Sequence, residues 1–255
     1  MGRKYEILAD NRIVALIDGR WGKVGTLGGT VEKEKNLSHE GECWVFEEGR
    51  VYGNAVVYEN ATVTHTARVY ENASVGGNAT VQNDAEVYGG AAILGFASVR
   101  GKASVFGRAR VYGEAHISDR AMVHTKGDIY DHAHIGGNAQ VYGNADVYGD
   151  ANIGGSAMVC GDARVYDDAN IRGYTQIRGY AHVYEYAHVY ECADISGQAR
   201  VFGNAHVYGC AKVKGPTHVY GQVYIGEART LKGFKNDSDD EGGGFLIVEG
   251  NGVIS

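Results

Sequence analysis

Rings and imidazoles at a fixed spacing are the side chains of this sequence that could do chemistry. One set follows a Val or Ile and recurs at 18 residues or multiples of 18: Tyr58, Tyr112, Tyr130, Tyr148, Tyr166, Tyr184, Phe202 and Tyr220. A second set precedes a Val or Ile at the same period: His116, His134, Asn152, Asn170, His188 and His206. Rings offer faces for contact and histidines titrate near neutral pH, so the two rows indicate different chemistry.

The aromatic row has cationic neighbours. The residues just before the intervening aliphatic are Arg164, His182, Arg200 and His218. Rings for stacking beside cations for phosphate are typical of a site for a nucleotide or a single nucleic-acid strand. Three interpretations stay open: a ladder that only stabilises one sheet, an interface between copies of the chain, and a face for another partner or ligand.

The histidine row is weaker as a site. His116 and His134 lie beside Ser118, Gly136 and Gly154, where small residues leave room for a groove. His132 and His134 are close in sequence, yet one is expected at a corner and the other on a strand, and no thiolate or carboxylate set completes a metal shell. We predict no metal site.

Bulk composition narrows the function classes. The 255 residues carry a formal charge of −7, which argues against general nucleic-acid binding. The N-terminal residues have no long apolar run, so neither a signal peptide nor membrane association is expected and a cytoplasmic location is predicted. The scattered cysteines are expected to be free thiols; Cys192 and Cys210 share a corner in adjacent coils, within disulfide reach if oxidised.

A six-residue repeat must position these rows. From 45 to 230 the chain consists of 31 hexads without an insertion, each opening with Val or Ile, and the fifth position is Ala in 25 of them. Such a period predicts a solenoid. Positions five and one should point inward and positions six and two outward, while Gly-Asn or Glu-Asn at positions three and four should form corners.

Sorting position two by 18 residues gives three unlike columns. The first is the aromatic row, the second has few rings, and the third begins Tyr52, Tyr70, Tyr88, Phe106. Three hexads therefore form one triangular coil, and about ten coils make a rod roughly 50 Å long at about 4.8 Å per coil.

The two ends do not fit the repeat. Residues 1–44 are predicted to form a β cap, with Trp21, Leu27, Leu37, Cys43 and Trp44 covering the open first coil. Arg229 takes an inward position, so the coils are expected to end near Ile225. In the tail, 231–255, residues 236–244 are predicted to be a mobile loop and 245–248 a capping strand.

The cap and the hexads resemble a phage and prophage hexapeptide-repeat family often labelled putative acyltransferases. The resemblance rests on Leu27-Gly28-Gly29-Thr30-Val31-Glu32, Glu34, Asn36-Leu37-Ser38, Glu40-Gly41 and Cys43-Trp44-Val45. It implies an all-β, left-handed parallel β-helix and, by analogy, a trimer. In hexapeptide acyltransferases a His acts as general base; His116, His134 or His124 would take that part here, with acetyl- or acyl-CoA as cofactor.

Those enzymes usually interrupt the coils with a loop that shapes the acceptor pocket, and no hexad is interrupted here. The leading hypothesis is therefore a non-catalytic scaffold without a cofactor. It would form a homo-oligomer and bind a host protein or an anionic small molecule such as a host-defence nucleotide. The binding residues would be Tyr112, Tyr130, Tyr148, Tyr166, Tyr184, Phe202, Tyr220 and the neighbouring cations. The alternative is an acyl-CoA-dependent acyltransferase.

Overall fold

A computed structural model describes residues 2–227, 229–232 and the backbone of the strand 246–254. The chain is all-β, and it divides into two compact units, Met1–Lys126 and Gly127–Ser255. In each unit two-residue strands stack in parallel, coil upon coil, so the predicted parallel β-solenoid is confirmed. Its left-handed winding stays a prediction.

The first unit opens with antiparallel strands at Tyr5–Ile7, Arg12–Ala15 and Leu27–Val31, followed by a 3-10 helix at Glu34–Asn36. The third strand joins the coils, since Thr30–Val31 pairs in parallel with Arg50–Val51. Trp21 and Trp44 stack at 4.8 Å, and Leu37 and Cys43 are buried with them. Leu27, expected in this cover, is instead 50% exposed.

The coils of the first unit present three faces, numbered in chain order. Face 1 contains Trp44–Val45, Thr62–Val63, Thr80–Val81, Ser98–Val99 and His116–Ile117. Face 2 contains Arg50–Val51, Arg68–Val69, Glu86–Val87, Ser104–Val105 and Met122–Val123. Face 3 contains Val56–Val57, Ser74–Val75, Ala92–Ile93 and Arg110–Val111. Every pairing is offset by 18 residues, as the column sorting predicts.

The second unit repeats this plan. Face 1 contains His134–Ile135, Asn152–Ile153, Asn170–Ile171, His188–Val189 and His206–Val207. Face 2 contains Gln140–Val141, Met158–Val159, Gln176–Ile177, Asp194–Ser196, Lys212–Lys214 and Thr230–Lys232. Face 3 contains Asp128–Ile129, Asp146–Val147, Arg164–Val165, His182–Val183 and Arg200–Val201. The long strand Thr217–Ile225 continues face 3 and then face 1.

The interior follows the hexad. The aliphatic at position one and the Ala at position five are fully buried, as Val165 and Ala163 illustrate. Each buried aliphatic contributes about 1.5–3 kcal/mol on transfer from water. The predicted alternation of inward and outward side chains is confirmed, and it leaves the outward positions six and two free to vary.

Corners turn at position three, where the backbone takes a positive φ. Gly143 has φ 79°, and Glu185 has φ 55° in the same conformation. A non-glycine residue is strained there, but its carboxylate gains a hydrogen bond. Glu185 accepts the backbone N–H of Gly203 at 2.9 Å, and Glu191 accepts that of Gly209 at 2.8 Å. Acidic residues therefore hold one corner to the next.

At the C-terminal end, the predicted end of the coils and the predicted inward position of Arg229 are both wrong. The coils do not end near Ile225, because Thr230–Lys232 pairs with Lys212–Lys214, and Arg229 is only half-buried at the surface. A strand at Leu246–Ile254 runs parallel to Thr217–Ile225 along its whole length. The predicted mobile loop at 236–244 lies outside the described residues.

The cysteine prediction is also wrong in one respect. Cys192 and Cys210 are joined in a disulfide, with their Cα atoms 4.8 Å apart, rather than being free neighbours. The parallel register places equivalent corners of adjacent coils within the range that a disulfide spans. Cys43 and Cys160 are free.

Candidate functional site

The rings predicted as a binding surface form one ladder in the second unit. Its members are Tyr130, Tyr148, Tyr166, Tyr184, Phe202 and Tyr220, and we call them, with Arg164, His182, Arg200 and His218, the aromatic face. Neighbouring ring centroids are 4.8–5.0 Å apart and the ring planes agree within 10°. The coil-to-coil spacing of a β-solenoid sets this distance, so each ring covers the face of the next.

Three tyrosines in the middle of this ladder have a raised pKa. Burial, with the neighbouring Tyr184 and Tyr148, raises the pKa of Tyr166 to about 12. Burial also raises the pKa of Tyr148 and of Tyr184. At neutral pH these hydroxyls therefore remain available as hydrogen-bond donors.

A row of polar side chains runs beside the ladder, held in register by the strands of face 3. Arg164 is ion-paired, its Nε lying 3.4 Å from Oδ2 of Asp146. Among the described residues, by contrast, no carboxylate lies within ion-pair distance of Arg200. Burial, followed by Arg200, lowers the pKa of both His182 and His218. At neutral pH the Arg200 guanidinium, which no described carboxylate pairs with, thus lies between the neutral imidazoles of His182 and His218.

Tyr112, predicted for the same surface, belongs to the first unit. There the guanidinium carbon of Arg110 lies 5.9 Å from the Tyr112 ring centroid. Its neighbours in the same column of the first unit are Leu94 and Gly76, so the ladder of that unit does not run on this face.

The first unit has a ladder of its own on face 2, which sequence reasoning did not single out. It consists of Tyr52, Tyr70, Tyr88, Phe106 and His124, with centroids 4.8–5.0 Å apart. The third column of the sequence begins with these rings, so the signal was present. That an imidazole would extend an aromatic stack was not foreseen.

Beside this ladder lies a groove of about 600 Å³ lined by charged and polar side chains. Its lining residues are Glu48, Arg50, Thr66, Arg68, Asp84, Glu86, Lys102 and Ser104. Nη2 of Arg68 lies 2.7 Å from Oε1 of Glu86, and the Tyr70 hydroxyl donates to Oε2 of Glu86 at 3.3 Å. Glu86 thus satisfies both the cation and the ring hydroxyl of its ladder.

Of the three histidines proposed as a general base, two lie on face 1 and one on face 2. His116 lies half-buried on face 1 of the first unit, and His124 is on face 2, stacked on Phe106 at 4.8 Å. Nδ1 of His124 lies 3.1 Å from Oγ1 of Thr125, and burial lowers the pKa of His124. His134 lies exposed on face 1 of the second unit.

Within the described residues, no group of three or more His, Cys, Asp or Glu side chains is arranged to hold a metal ion. None of the described helices has the length and apolar character needed to cross a membrane.

Comparison with known proteins gives one partial similarity. No family model matches the sequence. Over 67 residues, 26% of the chain, it is 33% identical to the "Uncharacterized acetyltransferase YdcK" of Escherichia coli (strain K12). The matched segment spans 20% of that protein's length. Together with the solenoid, this similarity fits a hexapeptide-repeat protein.

Proposed function

We propose that the protein is a non-catalytic β-helical scaffold whose aromatic face binds an anionic small molecule of the nucleotide class. The observation that carries this proposal is the six-ring ladder beside Arg200, a guanidinium that no described carboxylate neutralises. A planar base packs on ring edges and hydroxyls, while the guanidinium binds phosphate oxygens in pairs.

The oligomeric state is part of this proposal. A homo-oligomer, with a trimer favoured by the family resemblance, would place the aromatic face in a groove between subunits and exclude water from the ligand. A phage origin, action in the host cytoplasm, and a host-defence nucleotide as the ligand extend the same hypothesis. A host protein is the other partner that fits an apolar stripe with a polar margin.

A thermal-shift screen tests the ligand class. Adenine and guanine nucleotides should raise the melting temperature, because a ligand that binds only the folded state stabilises it in proportion to its concentration over Kd. Coenzyme A and acetyl-CoA serve as comparison ligands. Absence of a shift with every nucleotide would contradict the proposal.

Light scattering tests the oligomer separately. The wild-type chain should have a multiple of the monomer mass, and the double variant Tyr148→Ser, Tyr166→Ser should dissociate. A wild-type monomer, or an oligomer that persists in this variant, would contradict the proposed interface. The proposed ligand binding would still stand.

An acyl-CoA-dependent acyltransferase is the second candidate, favoured by the similarity to YdcK. The general base would be His116, His134 or His124, accepting a proton from an acceptor hydroxyl or amine. Incubation with acetyl-CoA and mixed amine and sugar acceptors should then release free CoA, and single His→Gln variants would identify the base. No thiol release above buffer hydrolysis would count against this candidate.

A further inference from the structure

A second groove, separate from the aromatic face, lies on face 1 of the second unit. It has a volume of about 530 Å³ and is lined by Asn170, Arg172, His188, Tyr190 and His206. The parallel register brings these side chains together, because Asn170 is the Cα partner of His188 and His188 that of His206. We call it the histidine groove.

Stacked rings form the wall of the histidine groove. The imidazoles of His188 and His206 stack at 4.7 Å, and His206 stacks in turn on Tyr224 at 4.6 Å. Alongside, Tyr190 stacks on Tyr208 at 5.4 Å and meets His206 edge-on at 6.3 Å. His188 therefore stacks on one ring, and His206 stacks on a ring in each adjacent coil.

Among the described residues that line the groove, Arg172 is a cation and none is an acid. Among the described residues no carboxylate is within ion-pair distance of Arg172, whereas Arg178, on the neighbouring face, makes two hydrogen bonds to Asp194 at 2.6 and 3.1 Å. Glu191, at the adjoining corner, has its carboxylate engaged by the Gly209 N–H at 2.8 Å. The guanidinium of Arg172 is therefore available to an external anion.

There is also space beside Arg172. One coil earlier the equivalent position is Gly154, and a Cβ built there would meet no atom within 4 Å. Burial and the neighbouring His188 lower the pKa of His206, as expected when two imidazoles share a site without a counterion. An anion in the groove would supply that counterion and favour protonation.

We propose that the histidine groove binds the phosphate group of a small phosphorylated molecule. The Arg172 guanidinium binds two phosphate oxygens, the imidazolium groups of His188 and His206 donate to the remaining oxygens, and the Asn170 amide donates at the margin. A phosphate monoester carries a charge near −2 and three terminal oxygens, which match one guanidinium and two imidazoles better than a carboxylate does.

The histidine ring protons report this binding in the wild-type protein. Titrating inorganic phosphate at constant ionic strength should shift the NMR signals of His188 and His206 and raise the lowered pKa of His206. The signals of His132, at an exposed corner, should stay unchanged. Unmoved signals of His188 and His206, or an equal response to acetate, would overturn the proposal.

Phosphate affinity of variants tests the histidine groove independently of the NMR titration. Arg172→Gln should weaken phosphate affinity about tenfold or more, as expected for loss of a charge-assisted contact. Arg120→Gln, an exposed arginine of the first unit, should retain it, with melting temperatures confirming that both variants fold. Undiminished affinity in Arg172→Gln would contradict the site. Nucleotide binding at the aromatic face is followed separately through His182 and His218, so either proposal can fail alone.

Discussion

The two units have ring ladders of the same spacing, but the polar residues beside them differ. In the first unit Arg68 and the Tyr70 hydroxyl both contact Glu86, whereas Arg50, beside Tyr52, has no described carboxylate within ion-pair distance. In the second unit Arg200 stands beside the ladder with no described carboxylate within reach. Stacking alone therefore does not mark a binding surface, because cross-strand neighbours stabilise any sheet.

The shared interior should make equivalent core substitutions cost the same in both units. Ile93 in the first unit and Ile153 in the second are both fully buried. Replacing either by Ala should lower the free energy of unfolding by about 2–5 kcal/mol, through lost transfer free energy and an unfilled cavity. Denaturant unfolding measures both. A cost near zero in one unit would show that the interiors differ as well as the surfaces.

Removing one arginine beside each ladder should affect nucleotide affinity only in the second unit. Arg200→Gln should weaken nucleotide binding about tenfold, since a guanidinium–phosphate contact is charge-assisted. The matched variant Arg68→Gln removes an exposed ion pair, should cost at most about 1 kcal/mol of stability, and should leave affinity unchanged. Calorimetric titration measures both affinities. An equal loss of nucleotide affinity in both variants would mean that Arg200 has no special role in binding.

Two buried threonines test how strictly the interior excludes polar groups. The hydroxyl of Thr175 has no hydrogen-bond partner among the described residues, whereas that of Thr217 donates to the Lys214 carbonyl at 2.7 Å. Thr175→Val should stabilise the chain by about 1 kcal/mol and Thr217→Val should destabilise it by a similar amount. Thermal unfolding of both variants gives the signs. The same sign for both would refute this assignment.

Acid should destabilise the second unit more than the first. The pKa is lowered, in each case chiefly by burial, for His124 in the first unit and for His182, His206 and His218 in the second. A histidine with a lowered folded-state pKa binds protons more readily when unfolded. Stability is therefore full above the ordinary His pKa of about 6.5 and falls as pH drops through it.

The measurement is the melting temperature at several pH values between about 8 and about 5. A triple variant with Gln at 182, 206 and 218 should lose more of the acid dependence than His124→Gln does. An acid dependence unchanged in the triple variant would show that these histidines do not account for it.

Much of this architecture is predictable from the sequence because the same hexad pattern recurs 31 times. Inward Val165 and Ala163, the corner at Gly143 and the ladder through Tyr166 and Tyr184 all follow from period and residue type. A column shows which residues are neighbours in adjacent coils. It does not show how their side chains pair.

The features that sequence reasoning missed all depend on side-chain pairing. The Arg68–Glu86 pair, the stack of His124 on Phe106 and the disulfide between Cys192 and Cys210 are each decided by rotamer and contact. Extending the histidine row by one more period to Tyr224 would have revealed the longer stack that now lines the histidine groove. The cap resists prediction for another reason, since its segments occur once and no repetition reinforces the pattern.

One comparison tests the central claim most directly. Nucleotide affinity is measured by calorimetry for Tyr148→Ser, Tyr166→Ser and for the matched double variant Tyr70→Ser, Tyr88→Ser, both in an Arg172→Gln background that removes phosphate binding at the histidine groove. Each removes two rings from the middle of a ladder, and both should lower stability through lost stacking of about 0.5–1.5 kcal/mol per pair. The account predicts that only the first abolishes nucleotide binding. Retained binding in that variant, or equal loss in both, would contradict it.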